Sequence, residues 1–274
     1  MLDHKVVFTD IDGTLTNTIT GRYEVSKGLI KRLQRHKIAV VFCSAKTLAE
    51  QEKIRQDMGM REPFIIENGG AIIIPPEYFS PTSLLLAKNY KKLGNYIIIE
   101  LGNPAEVIRR KLNIIRTKFK IEFKGVADIS LKELSIITGL GPSDARRMAD
   151  RKYGETILLI NKNAVPTLTR EARRIGLKVI HGGRFLDVTA GNDKGTAVKI
   201  LVRLFNKEYG QQVTSFGIGD SLNDVPMLNN TDIPMLVQKP DETWSPVKIK
   251  KIVNLQGVGP RGWKNAMDII LKAS

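Results

Sequence analysis

The sequence predicts an α/β protein built from a doubly wound, Rossmann-like parallel sheet and an inserted α+β domain. Two observations lead to this prediction. Short runs of β-branched residues alternate with segments of helical period in the first and last parts of the chain, which is typical of a parallel sheet covered by helices. The pattern breaks after Pro75, Pro76 and Pro81 and resumes beyond residue 186, which indicates an insertion.

The first part of the chain has the order strand, helix, strand, helix, strand, strand. The predicted elements are strand 5–9, helix 26–36 with Ser26 as its N-cap, strand 39–43, helix 47–58, strand 64–67 and, after a turn at 69–70, strand 71–74. The strands are almost continuously apolar, which fits burial on both faces of a parallel sheet.

Residues 81–186 form the predicted inserted domain, and residues 1–80 and 187–274 form the predicted core domain. In the insertion we expect strands at 96–101, 156–160 and 177–181 and helices at 104–119, 143–153 and 166–175. The core then continues with helix 193–205, strands 214–218, 233–237 and 251–255, and a final helix 260–272.

Composition and charge exclude several classes of protein. The 274 residues include one cysteine, Cys43, so a disulfide framework and a thiolate zinc site are excluded. No apolar run approaches the roughly 18–20 residues of a membrane span, and no signal peptide is visible, so we expect a cytoplasmic protein without membrane partners. The net charge of +15 predicts an anionic partner. The low aromatic content of 6% and the lack of a nucleic-acid-binding motif disfavour nucleic acid.

The first chemical motif, at residues 10–15, follows the first predicted strand directly. Asp10 and Asp12 are two carboxylates at the carboxyl end of a strand, where open α/β sheets bind their ligands. Gly13 allows the chain to turn sharply away from them. The simpler alternative is a turn that is rich in aspartate for structural reasons alone.

A second acidic motif, at residues 217–224, again lies at the end of a predicted strand. Its carboxylates, Asp220 and Asp224, can converge with those of the first motif on a hard divalent cation such as Mg²⁺. The alternative is an ordinary strand-to-helix cap, for which aspartate and serine are favoured.

Two further residues complete a candidate phosphate site. Ser44 follows the second predicted strand and supplies a hydroxyl, with backbone N–H groups at the start of a helix behind it. Lys194 begins another helix and can place an ammonium group beside a phosphate. Each residue is a weak signal alone, but the four pieces occur in a fixed order on four strand ends.

That order resembles the haloacid dehalogenase-like phosphatase superfamily, and the resemblance covers about residues 1–75 and 187–274. It implies that Asp10 is the nucleophile and forms a phosphoaspartate. It also implies that Asp12 protonates the leaving oxygen and then activates water, and that Ser44 and Lys194 hold the phosphate oxygens. These roles agree with the physical requirement that positive charge must offset the repulsion between a carboxylate and a dianionic phosphate.

The resemblance implies Mg²⁺ as the cofactor. The implied ligands are the carboxylates of Asp10 and Asp220 and the backbone carbonyl of Asp12, with Asp224 beside them. The neighbouring Asn223 is implied as a substrate-binding residue.

The spacing of the motifs indicates where the insertion lies. One helix separates the first motif from Ser44, whereas 149 residues lie between Ser44 and Lys194. This arrangement resembles the subclass whose cap domain follows the third core strand, with Asn68 and Gly69 at its entrance as candidate substrate contacts. The subclass implies a small anionic phosphosugar as the substrate.

Local matches at 131–134, 138–140, 145–153, 181–185, 189–195 and 259–263 resemble mannosyl-3-phosphoglycerate phosphatases, which implies hydrolysis of mannosyl-3-phosphoglycerate or a related glycosyl-phosphoglycerate. Arg184 and Lys46 are candidates for contact with the glycerate carboxylate or the phosphate, with equal weight for roles in surface or cap packing. The sequence departs from that family at Thr156, where we expect proline, and at Lys46, where many relatives carry arginine.

Three alternatives remain at this point. A phosphosugar mutase of the phosphomannomutase type would share the motifs but return the phosphoryl group to a sugar, and a general sugar-phosphate phosphatase would lack the glycerate preference. A non-catalytic binder of phospholigands or RNA is disfavoured by the intact acidic motifs. Residues 81–186 carry 21 basic and 9 acidic residues, a net charge of +12, which favours attraction of a small polyanion to the cleft.

Overall fold

The structure is a computed structural model that describes residues 4–17, 21–87 and 89–273. The first three residues, which enter the expectation about a signal peptide, lie outside the described residues. The strands are β1 (Lys5–Thr9), β2 (Ala39–Phe42), β3 (Phe64–Ile66), β4 (Ala71–Ile74), β5 (Lys91–Leu93), β6 (Tyr96–Glu100), β7 (Phe123–Gly125), β8 (Gly154–Ile160), β9 (Lys178–Gly182), β10 (Phe185–Thr189), β11 (Thr214–Gly219), β12 (Ile233–Gln238) and β13 (Val253–Val258).

The helices are α1 (Glu24–Arg35), α2 (Leu48–Met58), α3 (Pro81–Leu84), α4 (Ala105–Phe119), α5 (Leu131–Thr138), α6 (Pro142–Ala149), α7 (Val165–Arg174), α8 (Lys194–Tyr209), α9 (Val225–Leu228) and α10 (Pro260–Lys272). None of the described helices is long and apolar enough to cross a bilayer.

The core sheet has the order β13-β12-β11-β1-β2 with all neighbours parallel. Successive residues of β1 point to opposite faces, so Val7 packs under α1, α2 and α10 while Val6 and Phe8 pack under α8 and α9. Helices on both faces bury β1 and β2, which explains why these strands are apolar without alternation, while the edge strand β13 keeps exposed polar residues. The predicted doubly wound α/β core is therefore confirmed.

The inserted domain is built on a separate antiparallel sheet with the order β7-β8-β10-β9. The helices α4 and α7 cover one of its faces through Ile108, Leu112 and Leu168. The helices α5 and α6 pack on the other face through Leu134 and Met148. This confirms the predicted α+β insertion, which we call the cap.

The strand at 96–100, assigned from the sequence to the inserted domain, pairs with the core. β6 lies antiparallel to β4, with Ile99 opposite Ile72, and β5 pairs with β6 at the outer edge. A parallel bridge between Cys43 and Ile65 connects these strands to β2. The predicted boundary at 80/81 stays a prediction, and this pairing favours a crossing near residue 102 instead.

The two connections between core and cap lie side by side. The backbone N–H groups of Leu101 and Gly102 both donate to the carbonyl oxygen of Gly70, at 2.9 Å each. The side-chain amide of Asn103 donates to the carbonyl oxygen of Ala190 at 3.0 Å. These bonds fix both connections to one another and to the turn before β4.

Two predicted helix boundaries are wrong for identifiable reasons. Ser26 is not an N-cap, because α1 begins at Glu24 and the buried Ser26 hydroxyl donates to the carbonyl oxygen of Leu15 at 2.6 Å. The helix predicted at 143–153 ends at 149, because the backbone N–H groups of Lys152 and Tyr153 donate to the carboxylate of Glu67 in the core. In both cases a tertiary contact overrides the local pattern.

Candidate active site

The carboxyl edge of the core sheet brings the predicted chemical groups together. Asp10 follows β1, Ser44 follows β2, and Asp220 follows β11, while Lys194 is the first residue of α8. Because β11, β1 and β2 are adjacent and parallel, their ends meet at one place.

Lys194 is the central cation of this edge. Its side chain is 1% exposed, and its Nζ lies 2.7 Å from Asp10 Oδ1 and 2.7 Å from Asp224 Oδ1. Burial alone would favour the neutral amine, but the charges of Asp10 and Asp224 outweigh it and raise the lysine pKa. The site therefore holds a buried positive charge against the Asp10 carboxylate.

Three carboxylates form a compact oxygen cluster around that cation. Oxygen atoms of Asp10, Asp220 and Asp224 lie within 4.8 Å of one another. Burial raises the pKa of Asp10 above its ordinary value, and although Lys194 opposes that rise, the charges of the other two carboxylates add to it. Burial, followed by the charge of Asp224, raises the pKa of Asp220 to about 7.

This donor set fits a hard divalent cation. Carboxylate oxygens are its preferred ligands, and a cation among them would favour their ionised forms. The cluster is held by the protein itself, because Asp224 Oδ2 accepts the backbone N–H groups of Asp220 at 3.0 Å and Ser221 at 3.2 Å. Thr14 Oγ1 donates to Asp220 Oδ1 at 3.2 Å. Asp10, Asp220 and Asp224 could therefore hold a metal.

The turn after β1 needs glycine for two reasons. Gly13 has a φ of +79°, and a Cβ there would lie 2.9 Å from Asp220 Oδ2. A side chain at this position would thus be strained and would push the Asp220 carboxylate away from Asp10.

A second support for this loop comes from the far end of the chain. The indole N–H of the buried Trp263 donates to Thr9 Oγ1 at 3.0 Å, and the Thr9 hydroxyl donates to the carbonyl oxygen of Asp10 at 2.8 Å. A Cβ on Gly259 would lie 2.9 Å from the carbonyl oxygen of Thr16, so the segment before α10 packs closely against the end of the loop.

Asp12 points away from the carboxylate cluster. Its side chain is 61% exposed, and its Oδ2 lies 3.0 Å from Lys46 Nζ, which also lies 3.8 Å from Glu50. Burial would lower the pKa of Lys46, but Asp12 and Glu50 outweigh it and raise that pKa. The structure therefore brings the predicted substrate residue Lys46 to the candidate acid–base carboxylate.

Ser44 is 1% exposed and is fixed by backbone contacts on both sides. Its N–H donates to Ile65 and its carbonyl oxygen accepts from Asn68 N–H at 3.0 Å. Its hydroxyl oxygen accepts the backbone N–H of Lys46 at 3.3 Å. The start of α2 is ordered by a capping box between Thr47 and Glu50, so this loop presents its hydroxyl in one position.

A cleft of about 560 Å³ separates these groups from the cap. Its volume falls in the usual range of about 300–1,000 Å³ for ligand sites. The core wall includes Asp10, Asp12, Ser44, Lys46, Asp220 and Asn223, and the cap wall includes Thr138, Leu140, Met148, Arg151, Thr156, Arg184, Phe185 and Asp187.

The predicted substrate residue Arg184 is exposed on the cap wall. Its guanidinium lies 5.1 Å from the centroid of the Phe185 ring, and its Nη1 lies 3.5 Å from the Thr138 carbonyl oxygen.

Asn68 and Gly69 lie at the crossing to the cap. A Cβ on Gly69 would lie 2.1 Å from the carbonyl oxygen of Asp193, so Gly69 allows the turn before β4 to pack against the start of α8. Asn68 Nδ2 donates to Asp187 Oδ2 of the cap at 3.1 Å. Both residues connect structural parts, and a substrate contact for them stays a prediction.

Sequence reasoning missed two charged residues of the cap wall. Arg151 is 8% exposed and reaches the carbonyl oxygen of Ala45 at 3.4 Å, and Asp187 is also 8% exposed. Burial would lower the pKa of Arg151, but Asp187 and Glu67 outweigh it and raise that pKa. The segment 131–153 was singled out by resemblance, but no local pattern distinguishes its arginines, and nothing local distinguishes Asp187.

Comparison with known proteins identifies the family. The haloacid dehalogenase-like hydrolase family matches residues 7–99. The glucosyl-3-phosphoglycerate/mannosyl-3-phosphoglycerate phosphatase of Methanococcoides burtonii is 38% identical over 270 residues, which cover 97% of both chains. The chain belongs to the haloacid dehalogenase-like hydrolase family. The mannosyl-3-phosphoglycerate phosphatase of Pyrococcus horikoshii is 37% identical over 235 residues, 85% of this chain and 90% of that one.

The fold agrees with this membership. The sucrose-phosphatase of Synechocystis, solved in complex with sucrose and phosphate, matches the whole of this chain with a TM-score of 0.62 at 13% identity, and the match covers 100% of that chain. Together with the named relatives, these matches confirm the predicted superfamily, the core-plus-cap fold and the enzyme class, a phosphoric monoester hydrolase.

Proposed function

We propose that the protein is a Mg²⁺-dependent phosphatase that hydrolyses mannosyl- or glucosyl-3-phosphoglycerate through a phosphoaspartate on Asp10. The observation that carries the proposal is the position of Lys194 Nζ, 2.7 Å from Asp10 Oδ1, behind a cleft that Asp10 and Asp12 both line. A buried nucleophile, a fixed cation and an exposed acid–base group are the parts that phosphoryl transfer requires.

In the first half of the reaction Asp10 Oδ attacks phosphorus, and the bond from phosphorus to the glycerate oxygen breaks. Asp12 gives its proton to that oxygen, so the sugar derivative leaves as a neutral hydroxyl. Lys194 and the Ser44 hydroxyl hold the phosphoryl oxygens and oppose the charge that develops on them.

In the second half Asp12, now ionised, takes a proton from water, and the water oxygen attacks phosphorus. The bond to Asp10 breaks, which restores the carboxylate and releases inorganic phosphate. Asp12 suits both steps because its side chain is 61% exposed and can reach both the leaving oxygen and solvent.

Asp10, Asp220, Asp224 and the backbone carbonyl of Asp12 would hold the Mg²⁺. When bound, Mg²⁺ supplies charge that neutralises the carboxylates and the phosphate and lets Asp10 stay ionised.

The proposed substrate rests on charge as well as on the named relatives. Because Asp12 protonates the leaving oxygen, the glycerate must lie next to it, and Lys46 is the cation 3.0 Å from that carboxylate. Arg184 adds an exposed cation on the cap wall of the same cleft. A substrate with both a phosphate and a carboxylate matches this arrangement, and the net charge of +12 on residues 81–186 would draw it in.

The experiment is phosphate release with mannosyl-3-phosphoglycerate, glucosyl-3-phosphoglycerate, hexose 6-phosphates and 3-phosphoglycerate, in Mg²⁺ and in EDTA, without a bisphosphate activator. We expect turnover of the two glycosyl substrates in Mg²⁺ and none with Asp10→Asn. A preference for hexose phosphates would contradict the proposed substrate, and turnover that needs a bisphosphate would indicate a mutase.

We also propose a cytoplasmic location. The substrate is phosphorylated and does not cross membranes, which supports this location, and cell fractionation tests it.

A further inference from the structure

The cap wall contains a buried carboxylate that none of the steps above uses. Asp187 is 8% exposed and lines the cleft. Thr156 Oγ1 donates to its Oδ1 at 2.6 Å, and Asn68 Nδ2 donates to its Oδ2 at 3.1 Å. A carboxylate with two oxygens has about four acceptor sites, so these two bonds leave it capacity for further donors.

An open space lies next to this carboxylate. A Cβ built on Gly182 would lie 3.7 Å from Asp187 Oδ2 and 3.8 Å from Asn223 Nδ2 of the core. Gly182 belongs to β9 and pairs with Phe185, so its backbone is that of a strand, which any residue can adopt. Because Gly182 has no side chain, there is room between the Asp187 carboxylate of the cap and the Asn223 amide of the core.

The charge of this space selects what can occupy it. Asp187 repels the phosphate and the glycerate carboxylate, while Lys46 and Lys194 attract them elsewhere in the cleft. The buried guanidinium of Arg151 balances the charge of Asp187, as the raised pKa of that arginine indicates. The group that binds Asp187 should therefore be neutral and should donate hydrogen bonds. The hydroxyl groups of a sugar ring are such donors.

We propose that Asp187 and Asn223, on either side of the space at Gly182, form the subsite that binds hydroxyl groups of the hexosyl ring. The ring's hydroxyls donate to Asp187, and the Asn223 amide contacts a neighbouring hydroxyl. This assignment rests on the proposed function, because it needs a glycosyl substrate whose phosphate lies at Asp10.

Two variants test the subsite from opposite directions. Asp187→Asn removes the charged acceptor, and Gly182→Ala fills the space without straining the backbone. For Asp187→Asn we expect kcat/KM for mannosyl-3-phosphoglycerate to fall about 10–100-fold, the loss that follows removal of a hydrogen bond to a charged group. For Gly182→Ala we expect kcat/KM to fall as well, because the methyl group occupies the space that the hexosyl ring needs. The inhibition constant of 3-phosphoglycerate, which lacks the hexosyl ring, should stay within about 2-fold of the wild-type value.

Gly141→Ala is the matched control for the glycine, since a Cβ there has no atom within 4 Å. We expect it to leave both constants unchanged. Equal losses for the glycosyl substrate and for 3-phosphoglycerate would overturn the proposal, because Asp187 would then only tether the cap to the core. Unchanged kcat/KM in both variants would overturn it as well. Failure of the wild-type enzyme to release phosphate from any glycosyl substrate would instead refute the proposed function.

Discussion

Two groups of residues that line the cleft are held in opposite ways. On the core wall, Asp10 is 4% exposed and Ser44 is 1% exposed, and both follow adjacent parallel strands. On the cap wall, Arg184 is exposed, and its Nη1 lies 3.5 Å from the Thr138 carbonyl oxygen. A preorganised group lowers the barrier to reaction, whereas a loosely held group suits recognition of the variable part of the substrate.

The comparison predicts that losses in the core affect kcat and losses in the cap affect KM. The largest effect should come from Asp10→Asn, which removes the proposed nucleophile while keeping the shape of the side chain. We expect kcat to fall by at least about 10⁴-fold with substrate affinity retained, as measured by phosphate release and calorimetric binding. Asp241→Asn, an exposed substitution in the core, serves as the control. Substantial residual turnover would mean that water attacks phosphorus directly.

Lys194→Met should be the next largest change. It leaves Asp10 and Asp224 without their shared cation, so kcat should fall about 10²–10³-fold. Breaking such a buried pair should also lower the free energy of unfolding in EDTA by about 3–5 kcal/mol, measured by urea denaturation. Since a divalent cation can replace the missing charge, Mg²⁺ should restore part of that stability. A variant as stable as the wild type in EDTA would show that the ion pairs do not stabilise the core.

The carboxylate cluster should make core stability depend on pH. The pKa of Asp220 is raised to about 7 in the folded protein, above the ordinary value of about 3.9 in the unfolded chain. The folded state therefore binds more protons in this range, and the free energy of unfolding in EDTA should fall as pH rises from about 4 to about 7. Saturating Mg²⁺ should flatten this dependence, and so should Asp220→Asn. A slope that is unchanged by Mg²⁺ would place the titrating group outside the cluster.

The smallest effect should come from the cap wall. Arg184→Gln removes one exposed cation, so we expect KM to rise by about 3–10-fold with kcat unchanged, and the difference should shrink at high salt. Arg173→Gln, on the outer helix α7, is the matched control and should alter neither constant. A loss in kcat for Arg184→Gln would mean that the cap takes part in the reacting geometry.

The contrast between the core and cap residues of the cleft also explains which of them the sequence could predict. Asp10, Ser44 and Asp220 follow apolar strands directly, and parallel strands bring their ends together without knowledge of any side-chain contact. Asp187 could not be found in this way, because it lies within β10 and not after a strand, and its partner Asn68 is 119 positions away. The point where the chain crosses into the cap is hard to read from the sequence for a related reason, since β6 has the apolar pattern of any strand until its pairing with β4 is known.

The hydrogen bond between Trp263 and Thr9 joins residues 254 positions apart, so α10 must be synthesised and packed before the loop that carries Asp10 gains this support. A nascent chain that has released both acidic motifs but not α10 holds its carboxylates without that support. In stalled nascent chains of graded length, phosphate release should therefore rise in a single step when α10 leaves the ribosome.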